Sequence, residues 1–419
     1  MEGHRQVPPS GIICRSMPLK VCLVVALLSV TGLATAESIR TTDTPSPRRT
    51  PSAPCPLVTY AITRIPAIDS YGSIAGDFDG DGGDDVVLFQ DTNRPAVILW
   101  SDGHQAFESP KMAMFLPPDV TPSILKDIDG DGRVEVISQP TLHSIRVSRI
   151  QRDGSRETVT EQSIASDTYF ISNLALGDFL GNGTIQIAVA LNTPQSRRLQ
   201  VFDLRSNGVP LMDVPLTDSI GFDLMTVDAN HDGVDDLLVT GQGVRTGYQH
   251  DFGPGKDGYL SYFISTGTSF VENRFYKSAE GLRSGQVGDF AGAGSQDVIV
   301  VEPPGLMVLY TDALGAVLRK QQITSAVVYY AKVADLNGDG KDDLALLGYR
   351  GLLQTYFGRP EGLVSGPSYP TDEASTYTFS MVRTSPYSRP ALLITQRYSQ
   401  EALLFSPACA EVRHRSVHH

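Results

Sequence analysis

A short acidic loop followed directly by an apolar run recurs along the chain at intervals of about 50 residues. The first copy, residues 76–89, reads GDFDGDGGDDVVLF and places five aspartates in nine positions. Successive copies begin 50, 51, 50, 61 and 46 residues apart, and their lead residues are Asp77, Asp127, Asp178, Asp228, Asp289 and Asp335. A seventh stretch, RTSPYSRPALLI from 383, keeps the apolar run without the acids, and we align its Thr384 with the lead position. Self-similarity at such a period is typical of a repeat architecture.

Each repeat contains enough β-type sequence for four strands. One strand precedes the acidic loop and a second follows it. A glycine-containing turn such as SDGHQ near 101, RDGSR near 152 or STGTS near 265 then separates two further apolar runs, as in a hairpin. No stretch of useful length shows a 3.6-residue period. The sequence therefore predicts an all-β fold, a seven-bladed β-propeller with four-stranded antiparallel blades.

The repeats resemble FG-GAP repeats, also described as VCBS-type repeats, which are found in the integrin α-subunit propeller and in many secreted bacterial proteins. The resemblance covers about residues 56–412 and rests on the six acidic loops that keep register. It implies a propeller that binds calcium. It does not imply one function, because members of the family serve in adhesion, in sugar binding and in unassigned roles.

Four of the acidic loops have a complete set of oxygen ligands for Ca²⁺. Carboxylate or amide oxygens at positions 1, 3, 5 and 9 and a backbone carbonyl at position 7 can surround one ion. The four sets are Asp77, Asp79, Asp81, Gly83 and Asp85; Asp127, Asp129, Asp131, Arg133 and Glu135; Asp228, Asn230, Asp232, Val234 and Asp236; and Asp335, Asn337, Asp339, Lys341 and Asp343. We expect about four structural calcium ions. The alternative is a solvated acidic turn without metal.

The sequence argues against an EF-hand and identifies two further loops that lack calcium ligands. An EF-hand needs Glu at position 12, but Leu88, Ser138, Val239 and Leu346 stand there, and β-type runs follow. The third loop, with Leu180, Asn182 and Gln186 at ligand positions, and the fifth, with Ala291, Ala293 and Ser295, lack ligands. We therefore expect these two loops to hold no ion.

The N-terminal segment is predicted to direct export. Basic residues precede the apolar run VCLVVALLSVTGLA, and ATA at 34–36 suits signal-peptidase cleavage, so residues 1–36 are predicted to be a signal peptide. An uncleaved anchor is the alternative, and Met17 is an alternative start. Residues 37–54 form a Pro/Ser/Thr-rich linker, 55–412 the propeller and 413–419 a basic tail. We expect a secreted, extracellular or periplasmic protein without a membrane span after cleavage.

The two ends of the predicted propeller are expected to meet. The last repeat stops where its hairpin should turn, so residues 56–62 can supply the outermost strand of blade seven. Cys55 and Cys409 would then lie near each other, and a disulfide between them would close the ring in an oxidising compartment. Two unpaired thiols are the alternative. Cys14 and Cys22 leave with the signal peptide.

The fourth repeat contains an insertion that is a candidate for ligand binding. Its interval of 61 residues exceeds the others by about ten, and the surplus lies within 241–262. Because it follows the second strand of its blade, it emerges on the face opposite the acidic loops. That face is the ligand side in the integrin-like propellers that the repeats resemble. Candidate ligand residues are Arg245, Tyr248, His250 and Phe252. A tolerated surface insertion is the alternative.

Charge and motifs restrict the class of function. The exported chain has a net charge of −15, which argues against a nucleic-acid partner. The sequence contains no nucleophile elbow, phosphate loop or helical zinc motif, although a propeller enzyme can scatter its acids and bases over loops. We expect a monomeric adhesion or binding module for a glycan or an extracellular protein. A polysaccharide-active lyase or glycosidase on the same fold and a cell-surface spacer are the alternatives.

Overall fold

A computed structural model shows the fold of the propeller region. It describes residues 55, 58–66, 70–90, 93–103, 106–117, 123–164, 170–192, 196–205, 208–216, 222–241, 258–279, 282, 285–302, 305–312, 315–325, 328–348, 351–371, 376–385, 388–396 and 399–409. The predicted signal peptide, the linker and the basic tail lie outside these residues. None of the described residues belongs to a helix that could cross a membrane.

Within these described residues, twenty-eight strands form seven four-stranded antiparallel sheets, one for each predicted blade. Blade 1 consists of β2 (Gly72–Gly76), β3 (Asp85–Phe89), β4 (Val97–Leu99) and β5 (Lys111–Met112). Blade 2 consists of β6 (Ser123–Lys126), β7 (Glu135–Thr141), β8 (Ser144–Ile150) and β9 (Arg156–Ser163). Blade 3 consists of β10 (Phe170–Gly177), β11 (Gln186–Asn192), β12 (Arg197–Asp203) and β13 (Met212–Leu216).

The remaining blades follow the same order along the chain. Blade 4 consists of β14 (Phe222–Val227), β15 (Asp236–Gly241), β16 (Gly258–Ser265) and β17 (Phe270–Ser278). Blade 5 consists of β18 (Gly285–Gly288), β19 (Asp297–Glu302), β20 (Gly305–Thr311) and β21 (Val317–Thr324). Blade 6 consists of β22 (Val328–Ala334), β23 (Asp343–Gly348), β24 (Leu352–Phe357) and β25 (Val364–Pro370). Blade 7 consists of β26 (Thr376–Val382), β27 (Ala391–Gln396), β28 (Glu401–Cys409) and β1 (Val58–Pro66).

The second strand of a blade is the apolar run that follows each acidic loop, and it is the most buried. Every residue of β3, β11 and β15 is buried, because neighbouring blades cover both faces of these strands. The outermost strands β9 and β21 are mostly exposed or half-buried, since they face solvent at the rim. The apolar residue at position 2 of the loop also points inward, as with Phe78, Phe179, Phe290 and Leu336, each at most 2% exposed. The prediction of a seven-bladed propeller is confirmed.

The two ends of the propeller region meet in blade 7. Strand β1 pairs antiparallel with β28 over nine residues, from Val58 opposite Cys409 to Pro66 opposite Glu401. This confirms the predicted closing strand, although the strand covers Val58–Pro66 instead of residues 56–62. Cys55 and Cys409 lie at disulfide distance, with their Cα atoms 5.6 Å apart and 354 residues between them in sequence.

The strand register corrects our alignment of the seventh repeat. In blade 1 the residue before the lead position, Gly76, pairs with the position-9 residue Asp85. In blade 7 the equivalent pair is Val382 and Ala391. Arg383, rather than Thr384, therefore occupies the lead position. Without an acidic residue to mark the start of the loop, the sequence alone left the alignment uncertain by one residue.

Candidate metal sites on one face of the propeller

The acidic loops connect the first and second strands of their blades and therefore all lie on the same face of the ring. The connection between the second and third strands ends on the opposite face, because adjacent strands are antiparallel. In blade 4 that connection joins Gly241 to Gly258. A Cβ on Gly241 would lie only 2.5 Å from a ring carbon of Tyr259, so the ring packs directly against this glycine. The guanidinium of Arg274 lies over the Tyr259 ring, 3.9 Å from its centroid. The ligand candidates Arg245, Tyr248, His250 and Phe252 lie outside the described residues.

The lead aspartate organises the turn of its own loop through backbone hydrogen bonds. Asp77 accepts the N–H of Gly80 at Oδ1 over 2.7 Å and the N–H of Gly82 at Oδ2 over 2.8 Å. Gly82, at position 6, has a φ of 86°, which a residue with a side chain rarely adopts. Position 4 of the fourth loop is His231, with a φ of 59°. There the Oδ1 of Asp228 accepts the N–H of position 5 instead of position 4.

The side chains at positions 3 and 5 fold back over the loop. In the first loop the N–H of Asp81 donates to Asp79 Oδ1 over 3.1 Å, and the N–H of Gly83 donates to Asp81 Oδ1 over 2.8 Å. Equivalent pairs of bonds occur in the second, fourth and sixth loops. In two loops one oxygen from each carboxylate at positions 1, 3 and 9 lies within 4.8 Å of the other two: Asp77, Asp79 and Asp85; and Asp127, Asp129 and Glu135.

The carboxyl group at position 9 is buried at the base of each of the four loops. In the first loop Asp85 accepts the N–H of Phe78 over 3.0 Å and the N–H of Ser101 over 2.8 Å. Burial, with the nearby loop carboxylates adding to it, raises the pKa of Asp85 and Asp343 to about 8. It raises the pKa of Asp236 to about 6 and also raises that of Glu135. A buried carboxylate beside others is unfavourable unless a cation is bound, and oxygen-only ligand sets are those that Ca²⁺ prefers.

The third and fifth loops complete their turns with hydrogen bonds. In the third loop the amide of Gln186 donates to Thr184 O over 2.6 Å and to Thr184 Oγ1 over 2.7 Å. In the fifth loop Asp297 accepts the N–H of Thr311 and the hydroxyl of Ser295, each over 3.1 Å. Burial raises the pKa of Asp297 to about 6. In these two loops, hydrogen bonds thus stabilise the turn at positions where the other four loops have calcium ligands.

Arginine side chains contact the ligand positions of three loops. Arg152 donates to Asp79 of the first loop over 2.6 Å from the neighbouring blade 2, and Arg359 donates to Asp339 of the sixth loop over 2.6 Å. Arg149 contacts Asp129 and Glu135 of the second loop. Sequence reasoning missed these residues, because they lie on third strands or hairpin turns, outside the repeated acidic motif.

A second aspartate, at position 8, joins adjacent blades. Asp235 of blade 4 accepts the lead N–H of blade 3, from Asp178, over 2.7 Å. Asp342 of blade 6 accepts the lead N–H of blade 5, from Asp289, over 2.8 Å. Asp84 of blade 1 accepts the N–H of Arg383 in blade 7 over 2.6 Å. We call these three side chains the position-8 clamps. Each connects a loop with a complete ligand set to the preceding loop, which lacks one.

No family model matches the chain, and no curated protein sequence is similar to it. Several solved structures share its fold. A structure of BBS1N in complex with ARL6DN has a TM-score of 0.56 and 11% identity, over 85% of this chain and 98% of that one. A chain of a mitotic checkpoint complex has a TM-score of 0.50 and 11% identity, over 88% and 100%. An Agrocybe aegerita lectin that recognises terminal N-acetylglucosamine has a TM-score of 0.48 and 15% identity, over 81% and 85%.

At identities this low the similarity concerns the fold alone. The solved structures that share this architecture include two in which the similar chain belongs to a protein complex. Together with the seven sheets and their closure through β1 and β28, the comparison identifies the described chain as a seven-bladed β-propeller.

Proposed function

We propose that the protein is a secreted, calcium-stabilised binding module that attaches to a glycan or to an extracellular protein. The observation that carries the proposal is the set of acidic loops on one face, each with a buried carboxyl group at position 9 and a turn that folds the other acidic or amide side chains back over it. Bound calcium would neutralise these carboxylates and stiffen that face, with no role in chemistry.

The opposite face is the proposed ligand side. Gly241 and Gly258, the described ends of the long connection of blade 4, lie on this face, and Tyr259 packs against Gly241 and under Arg274. Loops on a rigid scaffold are where binding residues concentrate. A glycan would be bound by aromatic side chains with fixed polar neighbours.

A binding experiment on the purified, calcium-loaded protein tests this proposal. The protein is incubated with an array of polysaccharides and extracellular matrix proteins, and both retention and product formation are measured. We expect saturable retention on one class of ligand without new products. Turnover of a polysaccharide would show an enzyme instead, and the absence of any retention would contradict a binding module. Deletion of residues 245–256 should weaken retention while the calcium content stays unchanged.

A further inference from the structure

Arg149 lies among the predicted calcium ligands of the second loop. It belongs to β8, the third strand of blade 2, and its side chain is 23% exposed. Its Nε donates to Glu135 Oε1 over 2.7 Å, and an Nη donates to Asp129. The same Nη is 3.5 Å from Asp131. One guanidinium thus contacts three of the four acidic side chains of the set.

The other three loops with complete sets bind their position-9 carboxyl group differently. There a backbone N–H at the end of the third strand donates to that group: from Ser101 to Asp85 over 2.8 Å, from Ser265 to Asp236 over 2.7 Å and from Gly358 to Asp343 over 2.7 Å. In the second loop position 9 is the longer Glu135, and its Oε1 accepts the guanidinium N–H instead. The longer side chain of Glu135 and the guanidinium of Arg149 together distinguish the second loop from the other three.

Arginines near the first and sixth loops do not reach as deeply. Arg152 contacts the first ligand set through Asp79 and directs another nitrogen to Glu108 over 2.8 Å. Arg359 contacts the sixth set through Asp339. Their contacts are at positions 3 and 5, near the outside of the loop. Arg149 instead bridges position 3 to the position-9 carboxyl group, whose side chain is only 1% exposed.

The bridge has an electrostatic consequence for calcium. A guanidinium bound to two carboxylates supplies positive charge where the loop needs it, through charge-assisted hydrogen bonds that are stronger than those between neutral groups. Calcium would need oxygens of the same Asp129 and Glu135, so the ion and the guanidinium compete for them. An ion that enters also meets the repulsion of a cation tethered close by.

We propose that Arg149 acts as a tethered cation that neutralises the second loop, so that this loop binds calcium more weakly than the first, fourth and sixth loops. The proposal rests on calcium binding by those three loops, which is part of the proposed function. It divides the four ligand sets into three that depend on the ion and one that the chain neutralises itself.

Calcium titration of the whole propeller measures the difference. For the wild-type protein we expect three tighter sites and a fourth that is at least about tenfold weaker. For Arg149→Met we expect the fourth site to approach the affinity of the others. Arg359→Met is the matched control, because it removes an arginine that contacts one ligand carboxylate, and it should leave the weak fourth site weak. Four equivalent sites in the wild-type protein, or no change in Arg149→Met, would overturn the proposal.

A stability measurement without calcium separates this proposal from the proposed function. In chelator, Arg149→Met should melt at a lower temperature than both the wild type and Arg359→Met, because Glu135 then stays buried among carboxylates without a cation. Calcium should remove that deficit. Arg149→Lys keeps the charge but cannot form the same two-pronged contact, so its melting temperature should lie between those of Arg149→Met and wild type. If the wild type binds no calcium, the proposed function fails, whereas equal stability of Arg149→Met and wild type in chelator shows that the tethered cation is wrong.

Discussion

At position 9 a carboxyl group is completely buried although other acidic side chains lie in the same loop. Asp85, Glu135, Asp236 and Asp343 are all 0% exposed. Their backbone hydrogen bonds favour the ionised form, but burial dominates and raises the pKa of each. For Asp85 and Asp343, whose pKa is raised to about 8, a bound cation would favour the ionised form at neutral pH.

Removal of a single ligand should remove a single ion. In Asp79→Ala we expect the bound calcium to fall by one ion per chain, because the first loop loses its position-3 oxygen. The fold should survive, since among the described residues Asp79 pairs with its own loop and with the side chain of Arg152. Elemental analysis after dialysis against calcium gives the count, and circular dichroism reports the fold. An unchanged count would show that this loop is not a calcium site.

Asp297 in the fifth loop provides a pH test, because we predict no ion there. Its folded pKa of about 6 is above the value for an unfolded chain, so the folded state binds the proton more tightly. This group therefore favours folding at low pH, and the contribution is lost as pH rises from about 4 through about 6. Asp297→Asn keeps an oxygen that can accept the N–H of Thr311.

The melting temperature of Asp297→Asn, compared with wild type in saturating calcium, should shift upward between pH 4.5 and pH 7.5. The difference in unfolding free energy over this range is at most about 3 kcal/mol. Thermal melts at the two pH values check it. A variant that loses stability relative to wild type as the pH rises would indicate that calcium binds the ionised Asp297 after all.

At the scale of loops and strands, the position-8 clamps connect loops of unlike type. The third, fifth and seventh loops lack complete ligand sets. In each of them the lead backbone N–H donates to Asp235, Asp342 or Asp84 of the following blade. The second loop follows a loop with a complete set, and it has Val134 at position 8. The clamps thus hold turns that have no ion of their own.

Loss of a clamp should cost stability without loss of metal. Asp235→Ala leaves the half-buried N–H of Asp178 without its charged acceptor, and we expect a loss of about 1–3 kcal/mol in unfolding free energy. Asp235→Asn retains an acceptor oxygen and should lose less. Chemical denaturation in saturating calcium measures both variants. If Asp235→Ala is as stable as wild type, the bond contributes nothing to the connection between blades 3 and 4.

Features that recur inside each repeat could be predicted from the sequence, whereas contacts outside the repeated motif could not. The repeat period, the hairpin turns and the position-6 glycines were sufficient to predict the seven blades and the closing strand. The clamps were visible as paired aspartates at positions 8 and 9 of three loops, but their partners lie on another blade, which no local pattern reveals. Arg149 had no signal at all, because a third strand carries no repeated motif. The predicted lead position of blade 7 was wrong by one residue, because that loop has no acidic residue to mark its start.

At the scale of the whole molecule, one sheet contains strands from both ends of the propeller. β1 and β28 pair over nine residues, and Tyr60, Tyr369 and Phe405 pack together where blades 6 and 7 meet, with the ring centroids of Tyr369 and Phe405 5.8 Å apart. Apart from this sheet, every described blade is built from four consecutive strands. The ring is therefore held shut by backbone pairing, by packing and by the cysteine pair.

Replacement of Cys55 and Cys409 by serine should lower stability and leave the fold intact. A cross-link across 354 residues restricts the unfolded chain strongly, up to about 6 kcal/mol in the chain-entropy model. The nine-residue pairing of β1 with β28 remains, so the blades should still form. Denaturation of oxidised and reduced protein and of the double variant gives the difference. Two unmodified thiols in the mass spectrum of protein produced in an oxidising compartment would contradict the bond.

The pairing of β1 with β28 also fixes the order in which the chain can finish folding. The strand made first must wait for the strand made last, while six blades between them can assemble as they emerge. During that wait β1 has an open edge, which can pair with another chain. Completion of the ring is thus a late, long-range event, and slow synthesis would lengthen the period in which two nascent molecules can exchange their first strands.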